Sequence, residues 1–469
     1  SGILLMGVCH IASGQKRPGP GSGSFIALFA LAFLMRVTAA ALSKGFGSDT
    51  ACFAAWAERL CETGPGEVYS PELFSDYPPG YLYLLWLTGG IRRIFGIGYY
   101  SAAHLILLKL PSIFADMACG VLLCREAMGR LSGRHAFFLC AAYLFNPAIV
   151  LNSSVWGQVD SLPALFALIM CLSLIRGKMY PAYIAFGLGL LIKPQMLLLG
   201  PALLAGTIDR IWPAQKAGCR DGRKVASELA RCLSQCLSVA AGGVILCLPF
   251  GLSKVVSQLG DTLGSYPYAA VNACNLWGLL GLNWISQDKT FLGIPYVGYG
   301  MFAIAAAVFL TLFLSLKNRR SRTKYPFLAA FTIVTVFLFS VRMHERYLYP
   351  ALALLLLSCI YRPDQLRSPC PLTYLCYICL SILHFYNTAD VLFFYNPAAY
   401  DRKSPLILTV SAGMLLCGAL LYVIAFRYYS SRPDRAPAPK APPISASRQA
   451  LPLGKADILC MLAVTVLYG

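Results

Sequence analysis

The chain has 469 residues, of which 58% are hydrophobic and 13% are charged, and its mean hydropathy is +0.64. Soluble domains carry about 25% charged residues, so the composition excludes an ordinary soluble protein and predicts a polytopic membrane protein. A net charge of +19 would favour nucleic acid as a partner of a soluble protein. Here the basic residues cluster in short links between apolar runs, which indicates membrane topology and no nucleic-acid partner. The 18 cysteines lie mostly inside apolar runs without repeated spacing and predict neither a disulfide nor a zinc framework.

Apolar runs long enough to cross a bilayer recur along the whole chain. After an N-terminal segment, 1–24, we predict spans at 25–42, 101–124, 135–152, 158–175, 180–192, 195–212, 233–250, 293–316, 325–341, 346–361, 370–388 and 405–427. The segment 431–455 is basic and rich in Pro and Ala, which predicts a disordered cytoplasmic linker. A further apolar run begins at 456 and reaches the last residue, so we expect a piece of a longer protein. The expected fold is an all-α polytopic membrane protein with about 12–13 transmembrane helices.

The longest acid-rich segment, 43–100, follows the first predicted span. Within it, Phe53, Trp56 and Leu60 recur at helical spacing, so we predict an amphipathic helix lying along the membrane surface. Segment 79–98 decides the topology of everything after it. Only about twelve apolar residues precede its paired arginines, whereas a span needs roughly 17–25, so this segment should dip or lie flat.

The distribution of basic residues supports a segment 79–98 that does not cross. In that case 26 of the 39 basic residues fall on the side of the N-terminus and 11 fall on the other side, which also receives 12 of the 20 acidic residues. If 79–98 crossed, every later basic link would move to the outside, against the positive-inside bias. We therefore expect a multi-pass protein of the cell membrane with a cytoplasmic N-terminus and with 43–100 as its first outer loop.

This topology can be tested with reporter fusions. A reporter inserted in 317–324 should be cytoplasmic, and one inserted in 62–72 should be external. Protease protection or a compartment-specific reporter enzyme would measure both. An external reporter at 125–134 would contradict the assignment of 79–98.

In this topology the unusual polar residues gather at the outer face. Ionisable groups at membrane depth are costly and usually functional. The candidates for chemistry are, in chain order, Asp49, Asp76, Tyr77, Arg92, Arg93, Trp156, Gln158, Asp160, Lys193, Gln195, His344, Glu345 and Arg346.

Each candidate also has a purely structural interpretation. The alternatives are a helix cap for Asp49, a rigid turn with capping for Asp76, an interfacial belt for Trp156, a helix cap for Asp160, snorkelling for Lys193, interfacial anchoring for Arg92 and Arg93, and a helix-end ion pair for 344–346. For Lys109 and Asp116, seven residues apart on one helix face, we expect structural pairing with each other or with Arg36. The convergence of several clusters on one face favours function for the set as a whole.

The mixture of residue types suits transfer of a sugar from a lipid phosphate. An aspartate is ionised near neutral pH and can act as a general base on a hydroxyl. Arg, Lys and His can hold a departing phosphate, while Trp, Tyr and Gln suit a sugar. The sequence has no Gly-rich phosphate loop, no HExxH zinc motif and no Ser-His-Asp order. It neither requires nor excludes a divalent metal, and it implies no other cofactor.

At these residues the chain resembles the GT-C superfamily of polyprenyl-phosphate-sugar-dependent glycosyltransferases, and within it bacterial relatives of the second mannosyltransferase of GPI-anchor synthesis. The resemblance covers roughly 25–430 and rests on Asp49, DYPPG, NPAIVLNSSVWGQVDS, IKPQM, NLWGLLG and HERYLYP. The DYPP, Gln-bearing and His-Glu motifs are also similar to those of the glucosyltransferases that finish the N-glycan precursor. The resemblance implies that Asp49 is the catalytic aspartate, that 25–430 is the catalytic domain, and that transfer inverts the anomeric carbon. No second acid stands at Thr50 or Ala51, so a metal-binding Asp pair is not implied.

The sequence therefore predicts a membrane glycosyltransferase of glycan biosynthesis in the cell envelope. It would move a hexose, with mannose the first candidate, from a polyprenyl-phosphate donor to a glycan, lipid or protein acceptor. Asp49 would be the base, and the donor phosphate would be held by His344, Arg346, Lys193, Arg92 and Arg93. Sugar and acceptor contacts would come from Asp76, Tyr77, Trp156, Gln158, Asp160, Gln195 and Glu345. The alternatives are a flippase or transporter of lipid-linked saccharides, which would need polar groups at mid-bilayer and a path to both faces, and a structural or sensor protein.

Overall fold

We analysed a computed structural model of the chain, which describes residues 20–212, 222–362 and 372–429. Most of the N-terminal segment 1–24, the linker 431–455 and the run from 456 onwards lie outside the described residues.

Nearly all of the regular secondary structure in the described residues is helical. In chain order the helices are α1 (Ser22–Leu42), α2 (Gly47–Thr63), α3 (Pro79–Ile94), α4 (Ala102–Met128), α5 (Gly133–Leu144), α6 (Pro147–Val150), α7 (Ser161–Ile175), α8 (Met179–Ile192), α9 (Gly200–Ile211), α10 (Gly222–Cys247), α11 (Leu252–Gly264), α12 (Leu276–Leu279), α13 (Tyr296–Lys317), α14 (Tyr325–Phe339), α15 (Tyr349–Tyr361), α16 (Leu372–Phe394) and α17 (Pro405–Tyr429). A π-helical turn, Leu151–Trp156, continues α6, and 3₁₀ turns include Pro194–Leu199 before α9. The strands are dipeptides: β1 (Ala270–Val271) pairs in parallel with β4 (Met343–His344), and β2 (Thr290–Phe291) pairs antiparallel with β3 (Ile294–Pro295).

The expected fold class is confirmed: the chain is an all-helical polytopic membrane protein. Eight helical segments of the described part are long and apolar enough to cross a bilayer, and α7, α8 and α15 are shorter apolar helices. All twelve spans predicted within 25–427 coincide with helices. The span predicted at 195–212 is divided between a 3₁₀ turn and the short α9.

The centre of the bundle is formed by α14 and α15. Fourteen of the fifteen residues of α14, Tyr325–Leu338, are buried, and α15 is buried on every side except at Pro350 and Tyr361. Apolar side chains all round a helix are expected where protein surrounds it completely. By contrast, α10 is buried over only 11% of its apolar window, so this helix lies at the periphery, where lipid would cover it.

Helices α2 and α3 form a hairpin above the end of α1. The predicted apolar face of α2 exists, with Phe53, Trp56 and Leu60 all buried. This face packs against α3, so protein covers it. The position of the hairpin along the membrane surface stays a prediction. Contact is close at Gly89, where a Cβ would stand 2.6 Å from the carbonyl oxygen of Ala57.

The length of α3 does not decide whether this segment crosses, because the predicted spans α7, α8 and α15 are shorter still. The 16 residues of α3 extend about 24 Å at 1.5 Å per residue, short of a hydrocarbon core of about 30 Å. Its last turn carries Arg92 and Arg93, both bonded to Glu58 of α2. The orientation of the chain in the membrane stays a prediction.

A buried ion pair ties four helices together. Arg36 of α1 and Asp116 of α4 are both fully buried, with their Nε and Oδ2 atoms 3.4 Å apart. Arg36 also donates to the carbonyl of Leu144 at the end of α5, at 2.7 Å. Asp116 accepts from the hydroxyl of Tyr349, at the first position of α15, at 2.5 Å, and from that of Tyr143 at 3.4 Å. The expected pairing of Asp116 with Arg36 is therefore present.

We predict that breaking this pair on one side destabilises the protein strongly. Arg36→Met would leave the Asp116 carboxylate buried without its cation, and such a loss costs about 3–5 kcal/mol of unfolding free energy. Thermal or denaturant unfolding in detergent would measure it. The double variant Arg36→Met/Asp116→Asn removes the uncompensated charge and keeps an acceptor for Tyr349, so it should recover much of the loss. An Arg36→Met protein as stable as the unaltered one would contradict the importance of the pair.

Candidate active site

Asp49 lies in the first turn of α2, at the end of the bundle where α1, α8 and α14 terminate. It is half-buried and is not the cap of its helix, because the N-cap position is Phe46. Its Oδ2 accepts two hydrogen bonds, one from Trp156 Nε1 at 2.8 Å and one from Gln158 Nε2. No donor in the described residues is bonded to Oδ1. The carboxylate is thus held by one oxygen and leaves the other available.

The turn that carries Trp156 and Gln158 has an irregular backbone. The π-helical turn ends at Gly157, whose φ of +90° belongs to the left-handed region that favours glycine. The backbone N–H groups of Gly157 and Gln158 both donate to the carbonyl of Asn152, at 3.1 and 3.0 Å. A Cβ at Gly157 would also stand 3.0 Å from the side chain of Lys109. Glycine at this position therefore lets the two donors point at Asp49.

Lys109 fastens this turn to the end of α1. Its ammonium donates to the carbonyls of Ser43 at 2.7 Å and Val155 at 3.0 Å. From the sequence we expected structural pairing among Lys109, Asp116 and Arg36. Asp116 pairs with Arg36, and Lys109 binds backbone carbonyls instead. Gly45 completes the junction: its φ is +75°, and a Cβ there would stand 2.2 Å from the carbonyl oxygen of Trp156.

Tyr77 orients Gln158 from the other side. The Tyr77 hydroxyl donates to Gln158 Oε1 at 3.1 Å, which leaves the amide N–H₂ of Gln158 to Asp49. The ring of Tyr77 is buried among aromatic rings of α2 and α3, with centroids 5.8 Å from Phe53 and 5.2 Å from Tyr81. Tyr77 and Gln158 were predicted as sugar contacts. The structure places them in a chain of hydrogen bonds that fixes the Asp49 carboxylate.

Lys193 and Asp160 form a second buried pair next to this chain. Lys193 Nζ lies 2.6 Å from Asp160 Oδ1, and Asn152 Nδ2 donates to Asp160 Oδ2 at 3.2 Å. The ammonium also lies 5.6 Å from the centroid of the Tyr77 ring. Asp160 occupies the cap position before α7 without a capping hydrogen bond. The charge of Lys193 is therefore matched within the protein.

Residues 344–346 approach from the link between α14 and α15. Pairing of β4 with β1 holds this link, with His344 opposite Val271. Arg346 Nη1 donates to Glu345 Oε1 at 2.6 Å, and its guanidinium carbon lies 5.7 Å from the centroid of the Trp156 ring. The Nε of Arg346 is buried without a partner in the described residues. Arg346 therefore has donor capacity left for an anion beside Asp49.

His344 and Glu345 are shielded from water. Burial lowers the pKa of His344, and the positive charges of Arg346 and Lys193 lower it further, so this imidazole is neutral near pH 7. Its ring lies 4.9 Å from each of the rings of Tyr266 and Tyr347. Burial raises the pKa of Glu345, while Arg346 acts in the opposite direction.

Asp76 lies near the same charges, at the end of the loop before α3. Burial raises the pKa of Asp76; Arg346 and Lys193 oppose the rise, and Asp49 adds to it. The capping role considered from the sequence is wrong, because the N-cap of α3 is Pro78 and no side chain caps it. The backbone carbonyl of Asp76 accepts from Thr262 of α11 at 3.3 Å.

Gln195 also lies near the cluster. It lies beside Tyr347, the residue after Arg346, and its Oε1 is buried without a partner in the described part of the chain.

Arg92 and Arg93 do not join the cluster, which corrects their assignment to the donor phosphate. Both bind Glu58, Arg93 at 2.5 Å, and Arg93 also lies 3.2 Å from Glu62. Glu58 follows Asp49 by nine residues, or two and a half helical turns, so it faces the opposite side of α2 about 13 Å away. The paired arginines therefore neutralise carboxylates of the hairpin and lie apart from Asp49.

Three residues that were not predicted as site residues hold the turn that carries Trp156 and Gln158. Ser112 donates to the carbonyl of Gln158 at 2.8 Å, and Asn152 and Lys109 hold the π-helical turn. Ser112 and Lys109 are three residues apart on one face of α4, which is the signal that could have found them. No group of three or more His, Cys, Asp or Glu suited to a metal ion occurs among the described residues.

No family model matches the chain, and no curated protein matches it. Among solved structures, the chain is similar to the crystal structure of ArnT from Cupriavidus metallidurans bound to undecaprenyl phosphate, with a TM-score of 0.44 and 13% sequence identity over 86% of this chain and 78% of the ArnT chain.

Proposed function

We propose that the chain is an integral-membrane, inverting glycosyltransferase of the GT-C type. It moves a hexose from a polyprenyl-phosphate donor to an acceptor hydroxyl at the outer face of the cell membrane, and 25–430 is its catalytic domain. Mannose is the first candidate sugar because the motifs at 192–196 and 275–281 resemble those of the mannosyltransferases named above, whereas the motifs at 76–80 and 344–350 are shared with glucosyltransferases. The acceptor is a glycan, lipid or protein that presents a hydroxyl.

The observation that carries this proposal is the way in which Asp49 is held. One oxygen is fixed by Trp156 and Gln158, and the other has no protein donor among the described residues. A carboxylate that is oriented through one oxygen, with the other oxygen free of protein donors, suits a general base. The guanidinium of Arg346 lies over the same Trp156, so a cation stands beside the base.

The transfer itself needs one base and one anion site. Asp49 Oδ1 takes the proton of the acceptor hydroxyl as that oxygen attacks C1 of the donor sugar. The bond from C1 to the phosphate oxygen breaks, its electron pair leaves with the polyprenyl phosphate, and the configuration at C1 inverts. Negative charge accumulates on the departing phosphate, where a preorganised cation gives its greatest benefit.

We assign the phosphate primarily to Arg346. Its unpartnered Nε and its planar guanidinium suit a phosphate, which Arg can bind through two parallel hydrogen bonds. Lys193 is bonded to Asp160, which balances its charge. We therefore assign it a smaller electrostatic attraction to the phosphate and no direct hydrogen bond. The neutral His344 can donate one hydrogen bond without adding a charge.

The remaining polar groups are proposed to contact the sugar or the acceptor. Trp156, Gln158 and Tyr77 act mainly as positioning residues for Asp49. Asp76, Gln195 and Glu345 retain acceptor oxygens near Arg346 and are the better candidates for hydroxyl groups of a hexose.

The transporter alternative fits the interior of the bundle less well. A transporter needs a path that opens to both faces. Here Asp116 bonds Arg36 and Tyr349 between helices, and Asn146 donates to both Tyr377 and Ser381 at 2.7 and 2.8 Å. These bonds join the helices across the interior, and they favour a fixed bundle with chemistry at one end.

The replacement Asp49→Asn tests the proposal directly. Asn keeps the shape and removes the basicity, so folding and donor binding should survive while turnover falls about 10²–10⁴-fold. Purified protein would be assayed for transfer from a polyprenyl-phosphate mannose, with thermal stability and donor binding measured alongside.

Asp76→Asn is the matched control. Because burial raises the pKa of Asp76, a neutral amide removes a cost of burying charge, and stability should not fall. Turnover should fall less than in Asp49→Asn. If Asp49→Asn turns over normally while Asp76→Asn is folded and inactive, the base is Asp76. If both variants turn over normally, general-base catalysis by these carboxylates is wrong.

The role of Arg346 is tested by donor titration. Arg346→Gln is combined with Glu345→Gln so that no buried carboxylate loses its cation. Relative to Glu345→Gln alone, the loss of charged hydrogen bonds in the double variant should weaken donor binding about 10–100-fold. Arg342→Gln is the control, because Arg342 Nε bonds Gln287 Oε1 at 2.8 Å. An unchanged donor affinity in the double variant would remove Arg346 from this role.

A further inference from the structure

A recess lies at the opposite end of the bundle from Asp49. It has a volume of about 230 Å³ and lies between the start of α8, the end of α9 and the first turns of α10. Its lining residues are Gly177, Lys178, Met179, Tyr180, Pro181, Arg210, Glu228, Arg231, Cys232 and Gln235. None of these residues takes part in the proposed transfer.

Positive charge predominates in this recess. Among the described residues, three cations, Lys178, Arg210 and Arg231, line it together with one carboxylate, Glu228. Arg210 binds Glu228 through two hydrogen bonds of 2.8 and 3.0 Å, and Arg231 lies 3.6 Å from the same carboxylate. One negative charge therefore faces three positive ones.

A fourth cation stands behind the wall of the recess. Gly177 has a φ of +72°, and a Cβ there would stand 2.2 Å from Nη1 of Arg322. The absence of a side chain at Gly177 lets this guanidinium approach the recess. Gly177 thus increases the positive potential as well as forming the turn before α8.

Exposed apolar side chains beside the recess indicate that it faces the edge of the bilayer. Helix α10 is peripheral, and it exposes Leu229, Leu233 and Leu237 on one face. Tyr180 and Trp212, at the ends of α8 and α9, are 42% and 45% exposed, as expected of aromatic side chains at the headgroup level. At the membrane surface, the anions next to the recess are lipid headgroups, so a lipid headgroup is a better candidate for its ligand than a dissolved anion.

We propose that the recess between α8, α9 and α10 binds the phosphate headgroup of an anionic phospholipid, held by Lys178, Arg210 and Arg231. Basic pockets between membrane helices bind such headgroups through charge and hydrogen bonds. This site is independent of the transfer proposed at Asp49. It would anchor the peripheral α10 against α8 and α9 through a bound lipid.

The test measures lipid binding to the delipidated full chain in dodecyl maltoside micelles by native mass spectrometry. The probes are dioleoyl phosphatidylglycerol, dioleoyl phosphatidylcholine and inorganic phosphate. We expect phosphatidylglycerol to bind more tightly than phosphatidylcholine. Each cation removed should weaken it about fivefold, so Lys178→Gln/Arg231→Gln should lose about 25-fold. Both side chains lie at the surface, and unfolding temperatures without lipid should match.

Two variants separate charge from other causes. Arg402→Gln/Lys403→Gln removes the same two charges from exposed positions at the other end of the bundle, and it should bind phosphatidylglycerol like the unaltered chain. Lys178→Arg/Arg231→Lys keeps the charges and should retain binding. The proposal is overturned if Lys178→Gln/Arg231→Gln binds phosphatidylglycerol normally, or if both lipids bind equally well. Displacement of phosphatidylglycerol by millimolar inorganic phosphate would identify a site for a soluble anion instead.

Discussion

The carboxylate of Asp116 is the point on which the arrangement of the helices depends. It forms an ion pair with Arg36 of α1 and accepts a hydrogen bond from the hydroxyl of Tyr349 of α15, and all three side chains are buried. Tyr349 also contacts Ser161, at 3.1 Å between the hydroxyl oxygens. Ser161 begins α7 next to Asp160, and Tyr349 begins α15 three residues after Arg346. The hydrogen bonds of Asp116 and Tyr349 therefore fix the distance between two parts of the site. These are the π-helical turn that ends at Trp156 and the link between α14 and α15 that carries Arg346.

The candidate site is built as a set of supports around a single carboxylate. Tyr77 orients Gln158, Gln158 and Trp156 fix Asp49, and Lys109 holds the turn from which two of these residues come. Such supports matter because a base displaced by about 1 Å loses much of its effect. They also explain why so many polar side chains collect at one end of an otherwise apolar bundle without each being a substrate contact.

Much of the fold was predictable from local pattern. Hydropathy located the spans, and the spacing of Phe53, Trp56 and Leu60 identified the buried face of α2. The surface that covers this face could not be predicted, because the covering helix α3 is defined by tertiary contact. Hydropathy also could not show that the span predicted at 195–212 is interrupted, since the 3₁₀ turn at its start is as apolar as a helix.

Within the site, the sequence identified the right residue types but not their partners. Lys193 meets Asp160 across 33 residues, and Arg92 meets Glu58 across 34, so no spacing rule within one helix links them. The left-handed Gly157 and the π-helical turn before it leave no hydropathy signal at all. Pairing between distant segments decides which cations remain for a ligand, and this information is in the three-dimensional structure alone.

The pairing of Arg36 with Asp116 also bears on how the protein responds to an energised membrane. A single charge that moves across the bilayer gains or loses about 2.3 kcal/mol for every 100 mV of membrane potential. A cation and an anion that move together contribute opposite amounts, and their sum is zero. The electric field therefore exerts no net force on this pair as a unit, and the pair does not couple the junction of α1, α4 and α15 to changes in voltage.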